Sequence, residues 1–338
     1  MKKLSSILTL AVTVIAASVF HSSYAPGARI QLLAHNAYPD HGKYADRLDH
    51  AIAAGVPFVV EEDLAWIDGK SLLIHGAKNA GSSDPTLETY FFPKVKPIME
   101  KALQDGDQTQ WPLITLYLDI KNDPIEHLQA ISEVLDKYNS WLTTAVKTSN
   151  LATQSPLDVK PMMVLVEDKQ RDIKQQFFYD SLPVGGKIRV FGSVTKPALP
   201  TGPNLTKQEA IERMAGVDPA TIVSAKADNY HRWWGSDWAF IEKGGEEHAG
   251  GWTPEENARL QKWVRYGHNL GYFVGFYCLD GFTSDQNHGW EAEYNLGSQS
   301  AAETRWKALI QAHADFISTD QYEDLGKLLH SFHHAATE

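Results

Sequence analysis

Apolar, β-rich runs alternate with amphipathic stretches along the chain from residue 30 to its end. Strands are predicted at Ile30–His35, Phe58–Asp63, Leu113–Ile120, Met162–Glu167, Ile188–Gly192, Ile222–Lys226, Phe273–Leu279 and Phe316–Thr319. Between them, Ile125–Tyr138 places Leu128, Ile131, Val134 and Leu135 on one stripe of a 3.6-residue period. Tyr44–Ala54, Pro93–Leu103, Asp172–Tyr179, Lys207–Ala215, Pro254–Leu270, Ala301–His313 and Tyr322–His330 also read as helices. Thr206 and Thr253-Pro254 resemble helix starts, the second with proline at the first helical position. Strands and helices in alternation predict α/β architecture. Near-continuous apolar strands suit a parallel sheet covered on both faces, and eight strands close a (β/α)8 TIM barrel; an open doubly wound sheet is the alternative. Ser140–Pro161 reads as a polar surface connection, and Tyr230–Gly251 as a second irregular stretch.

The N-terminus reads differently. Lys2 and Lys3 precede an apolar run, Leu4 to Phe20, and Ser23-Tyr24-Ala25 offers a small-residue processing site. Residues 1–25 therefore read as a secretory signal peptide and residues 26–338 as a single domain, with a secreted or periplasmic product. Pro26 disfavours cleavage at Ala25, so the site could lie a few residues earlier; an uncleaved anchor is the alternative. No later segment is long and apolar enough to span a bilayer. Without Lys2 and Lys3 the formal net charge moves from −11 to −13, with 29 basic against 42 acidic residues. That balance argues against general nucleic-acid binding, which needs clustered Lys and Arg. Cys278 is the single cysteine, so there is no intramolecular disulfide, and the core alone must stabilise an exported chain.

The chemistry collects at strand ends. Glu61 and Asp63 alternate after the apolar run Val56 to Val60, which in a strand puts both carboxylates on one face about 6–7 Å apart. Asp119 and Lys121 repeat the spacing after Leu113 to Leu118, His35 ends the first strand, and His75 follows the Asp68-Gly69 turn. Catalytic groups of such barrels sit at the C-terminal ends of sequential strands, so these residues should gather over one quadrant of the mouth. Three carboxylates are hard ligands for a divalent cation, Mg²⁺ or Ca²⁺. With Lys121 to hold a phosphate oxygen and two histidines for general acid–base work, the set suits a phosphodiester attacked by water or by its own hydroxyl, the second route giving a cyclic phosphate. The alternatives are ion pairing of Glu61 and Asp63 with arginine, a Lys121–Asp119 salt bridge, and ordinary strand-end histidines. Trp233, Trp234 and Trp238 follow the predicted sixth strand and offer an apolar wall or a packed loop. Tyr272, Phe273, Phe276 and Tyr277 read as strand core, Glu62 as pointing to the opposite face, and Asp320 as a turn or N-cap residue. Glu167 and Asp168 end the fourth strand as outer candidates, while His41 reads as a loop residue and His330, His333 and His334 as a solvated helix face.

The ordered set His35, Glu61-x-Asp63, Asp68-Gly69, His75, with the ending Ala314 to Asp320, resembles the glycerophosphodiester phosphodiesterase family and the wider phosphatidylinositol-phospholipase-C-like superfamily. The resemblance spans nearly the whole mature chain. It implies a (β/α)8 barrel, a metal on Glu61, Asp63 and Asp119, and acid–base roles for His35 and His75. Substrate contacts are expected from Lys121, Asn36, Trp233 and Trp234, and the substrate is expected to be a glycerophosphodiester or a phospholipid headgroup. The chain departs from the family where Asn36-Ala37 replaces arginine-glycine, Gly76 replaces aspartate, and Asp119 replaces glutamate. The His35-Asn36 start and the Asp119-Ile120-Lys121 strand are similar to less characterised branches and partly to sphingomyelinase-D-like enzymes. A glycoside hydrolase on the same barrel, or a non-catalytic lipid- or sugar-binding protein, are the alternative functions.

Overall fold

A computed structural model describes residues 24–39, 44–76, 84–167, 173–194, 205–277, 279–283, 285–286 and 295–335. The leader up to residue 23, His41, Asp168, Cys278 and the side chains of His333 and His334 lie outside the described residues. In chain order the strands are β1 Gln31–Ala34, β2 Phe58–Ile67, β3 Lys70–Leu73, β4 Ile114–Ile120, β5 Thr144–Val146, β6 Leu157–Asp158, β7 Met162–Val166, β8 Lys187–Ile188, β9 Phe191–Ser193, β10 His231–Ser236, β11 Phe273–Phe276 and β12 Phe316–Thr319. The helices are α1 Arg47–Ala54, α2 Phe92–Asp105, α3 Ile125–Asp136, α4 Ile173–Gln175, α5 Lys207–Met214, α6 Pro219–Ile222, α7 Pro254–Leu270, α8 Gln299–Gln311 and α9 Tyr322–Ala335.

Eight parallel strands run in the order β1-β2-β4-β7-β9-β10-β11-β12, and β12 pairs back onto β1, closing a (β/α)8 barrel. Closure removes every free edge from the barrel. The helices cover its outside, so both faces of most strands are buried; β4 is buried at all seven of its residues. Helix α7 shows how local sequence fixes such an element. Thr253 caps its start in a reciprocal hydrogen-bonded box with Glu256, Pro254 opens the first turn, and Gly271 ends the helix at φ 90°. Its Leu260, Trp263, Val264 and Gly267 face the barrel. A Cβ at Gly267 would lie 2.4 Å from Val274, so glycine permits the close approach to β11. Among the described residues no helix is long and apolar enough to cross a membrane.

Three elements differ from expectation. The sixth strand is β10, which begins at His231, beyond the end of the predicted Ile222–Lys226. Thr221-Ile222-Val223 has a β-rich composition, but Asp218 caps a helical turn opened by Pro219, and Val223 then supplies a carbonyl to the Tyr266 hydroxyl. The polar stretch before β7 forms part of a small antiparallel sheet, β6-β5-β8, which takes up Ile188 from the predicted fifth strand; β9 begins at Phe191. Strand β2 runs on past Asp63 and turns at Asp68-Gly69 into β3, an antiparallel hairpin standing above the barrel rim.

Strand register sets what faces inward. Glu61 pairs with Tyr117 and Asp63 with Asp119 across β2 and β4; Tyr117 pairs with Leu165 on β7. Gly235 pairs with Gly275, and Gly275 with Phe316, across β10 to β12. Inward positions on consecutive strands therefore form layers, as side chains alternate along each strand.

Candidate metal and acid–base centre

The uppermost layer is polar. Glu61 and Asp63 from β2 and Asp119 from β4 bring one carboxylate oxygen each within 4.8 Å of one another. Asp63 is fully buried, and Glu61 and Asp119 are each 9 % exposed. Asp63 Oδ2 accepts from the Tyr38 hydroxyl at 2.7 Å and meets Lys121 Nζ at 2.9 Å and His75 Nδ1 at 3.1 Å. Lys121 Nζ also reaches Asp119 Oδ2 at 2.8 Å, so one ammonium bridges two carboxylates. Asp63 Oδ1 is buried with no hydrogen-bond partner, an arrangement that is costly unless a cation completes it. Burial pushes the Glu61 carboxyl up to about 7; His35 and Lys121 oppose this, and Asp63 and Asp119 add to it. Burial pulls Lys121 down, but Asp119 and Asp63 outweigh it and hold the ammonium above its ordinary value.

His35 follows β1 and takes its backbone hydrogen bond from β12, through Thr319 O at 3.3 Å. Its Nδ1 lies 3.1 Å from Asp320 Oδ1. Arg47 pairs with the same carboxylate, donates to Tyr322 Oη at 2.9 Å and reaches His35 O at 3.3 Å, and the Tyr322 hydroxyl also donates to His35 O. Asp280 Oδ1 accepts from Asp320 N at 2.6 Å and from the Thr319 hydroxyl at 2.5 Å. Both the backbone and the ring of His35 are thus held from α1, β12 and α9. A proton on Nδ1, directed at Asp320, makes Nε2 the basic nitrogen. Asp320, expected as a turn or N-cap residue, is a partner of His35. Strand parity was the available signal, because Phe316, Ser318 and Asp320 share one face of β12 and its extension.

His75 leaves the end of β3 and is about half exposed. Its position comes from the hairpin. Ile74 N donates to Asp63 O, the Asn122 side chain pairs with both the N–H and the C=O of Trp66, and His127 Nε2 accepts from Ser71 Oγ at 2.8 Å while Nδ1 donates to Asn122 O. Asn122 and His127, absent from the sequence reading, tie the hairpin to β4 and α3.

The remaining candidates divide. Trp233 points inward, 3 % exposed, with its ring edge-on to Tyr117 at 4.9 Å and Nε1 donating to Val166 O at 3.1 Å. It forms a floor under the carboxylates. Trp234 takes the opposite face of β10, against Trp263 of α7 at 5.2 Å, and so does not line the mouth. Trp238 is buried on Trp252 and donates to Glu242 Oε2 at 2.8 Å. The aromatic wall expected of these three residues reduces to Trp233, because Trp233 and Trp234 are strand residues on opposite faces. Asn36, at φ 48°, is buried with its Nδ2 unpartnered. Glu62 turns away from the cluster as parity requires, and it is buried and unpartnered, so burial raises its carboxyl well above the glutamate range. Glu167 follows β7 close enough to Tyr117 to raise that phenol, after the larger effect of burial.

No protein-family model matches the sequence, and no curated protein is similar to it. Among solved structures, a glycerophosphoryl diester phosphodiesterase from Parabacteroides distasonis is 13 % identical with a TM-score of 0.42, over 92 % of this chain and 90 % of that one. The HPPK-DHPS of Plasmodium falciparum with pterin and p-hydroxybenzoate is 10 % identical with a TM-score of 0.46, over 92 % of this chain and 49 % of that one. This chain spans about half the length of the second protein. The barrel itself is closed by the pairing of β1 with both β2 and β12.

Proposed function

We propose that this chain is an exported, metal-dependent phosphoric diester hydrolase of the glycerophosphodiesterase-like type, acting on a glycerophosphodiester or a phospholipid headgroup bond. The observation that carries the reading is the convergence of Glu61, Asp63 and Asp119 at one point, with Lys121 against two of them and His75 against Asp63. The residues fit a hard divalent cation such as Mg²⁺ or Ca²⁺: the donors are all carboxylate oxygens, and Asp63 Oδ1 is buried without a partner. Bound there, the ion would neutralise phosphate charge and polarise the phosphoryl oxygen.

Lys121 reaches the same point with a protonated ammonium and suits a non-bridging phosphate oxygen. His35, with Nδ1 on Asp320, is the general base: Nε2 takes the proton of the attacking hydroxyl, whether from water or from the substrate. His75, supported at Nδ1 by Asp63 and open to solvent on its other side, is the general acid that protonates the departing oxygen. Trp233 and Tyr117 close the floor and keep bulk water from entering below the reacting phosphate.

Phosphorus NMR of the purified protein with mixed glycerophosphodiesters and lysophospholipids tests this. A monoester or cyclic phosphate that forms with Mg²⁺ or Ca²⁺ and stops with chelator is expected. No turnover under any metal by a folded protein would move the assignment to the glycosidase or binding alternatives.

A further inference from the structure

The N-terminal face of the barrel, opposite the carboxylates, is closed by Tyr24, a residue that the leader motif would remove. Tyr24 is 5 % exposed, with its ring stacked on Phe273 at 4.7 Å and the Arg29 guanidinium 5.7 Å above it. Phe273 in turn stacks on Phe316 at 6.1 Å. Both are the first residues of their strands and face inward, and the Tyr24 hydroxyl lies beside Thr115 near the start of β4 and beside Asp315. The tyrosine therefore sits inside the lower mouth, between β4, β11 and β12.

The segment is also strapped down. Gly27 N donates to Asp315 Oδ1 at 2.7 Å, while Asp315 Oδ2 accepts from Val274 N at 2.8 Å and meets His268 Nε2 at 2.8 Å. Gly27 has φ +76°, and a Cβ there would lie 3.0 Å from the His268 ring, so glycine is required for the close approach. Ala28 N bonds Ala25 O in a turn that contains Pro26, and Arg29 Nη1 donates to Gln110 O at 2.9 Å and Pro112 O at 3.1 Å.

Cleavage after Ala25 would carry Tyr24 away, uncover Phe273 and leave a void in the floor. We infer that the leader is instead removed N-terminal to Tyr24, and that Tyr24 belongs to the mature protein as the plug of the barrel floor. A leader peptidase of the export route would hydrolyse that peptide bond with one water, releasing the leader as a carboxylate and giving the mature chain a free amine at or before Tyr24. This rests on the export part of the proposed function and is independent of the phosphodiesterase chemistry.

The test is intact mass and N-terminal sequence of the protein recovered from the exported fraction of a bacterial host expressing the full precursor. A mature N-terminus at or before Tyr24, with the apolar run gone, is expected. A folded product beginning at Pro26 or later, or one that retains the apolar run, overturns the inference. A second arm needs no export: chains started at Tyr24 and at Pro26 are purified from the cytoplasm and melted. The shorter chain should melt about 5 °C lower, and equal melting temperatures would overturn the plug role.

Discussion

The β1–β4 half of the barrel and the β10–β11 half fill its interior with opposite materials. The first stacks Glu61, Asp63, Asp119 and His35 on inward positions, where burial works against every charge. The second places Trp233 between Gly235 and Tyr117 and backs it with Trp234, Trp263 and Trp238 on the outer face of the sheet, where burial stabilises. Glycine at 235 is what admits the indole, since a Cβ there would lie 2.9 Å from the Trp233 ring. One half is strained toward a ligand and the other anchors it, so substitutions in the two should separate activity from stability.

The largest separation is expected at His35 and Trp233. His35→Ala should cut kcat on a phosphodiester about 1000-fold with little change in melting temperature; a loss under tenfold would remove His35 as the base. Trp233→Ala should cost about 3–5 kcal/mol in denaturant unfolding, because it empties the centre of the barrel. If that variant were as stable as the parent, the anchor role would fail.

Metal sharpens the contrast from the other side. Mg²⁺ or Ca²⁺ at about a hundred times its Kd should raise stability by about 2.7 kcal/mol, and the gain should vanish in Asp63→Asn while surviving in Trp238→Phe. Calorimetric melts with and without chelator read this directly. Asp320→Asn should lower kcat about 100-fold with KM nearly unchanged, since the carboxylate holds the His35 ring rather than the substrate; an equal rise in KM would place Asp320 on substrate instead.

The smallest effect tests a buried acid in the stabilising half. Glu246 is raised well above the glutamate range by burial, with Asp237, Glu242 and Asp280 adding to it and its own backbone N–H opposing. Glu242 itself is paired with Arg305. A carboxyl whose folded pKa is raised keeps its proton in the folded state. Wild-type stability is therefore greatest below the unfolded glutamate value and falls as pH rises above it. Glu246→Gln should gain on wild type from about pH 5 upward; parallel melting curves across pH would show that Glu246 ionises without penalty.

The amino-acid sequence by itself determined the barrel, most of its strands and the reactive cluster. Seven of the eight predicted barrel strands overlap observed ones, because continuous apolar runs leave buried parallel strands little alternative. Glu61, Asp63 and Asp119 were legible through period-two spacing at strand ends, which puts side chains on one face whatever the rest of the chain does. Tertiary structure decided what depends on distant partners. Ile222–Lys226 has strand composition, yet the barrel pairs the more polar His231–Ser236, since pairing with β9 and β11 and the packing of Trp234 on α7 outweigh local propensity. Asp320 became a partner of His35 only because closure brings the first and last strands together across 285 residues. Tyr24, within a leader motif by sequence, was placed in the floor by Phe273 of β11, far along the chain. Spacing along one strand is fixed by backbone geometry, whereas contacts between chain ends exist only once the ring has closed.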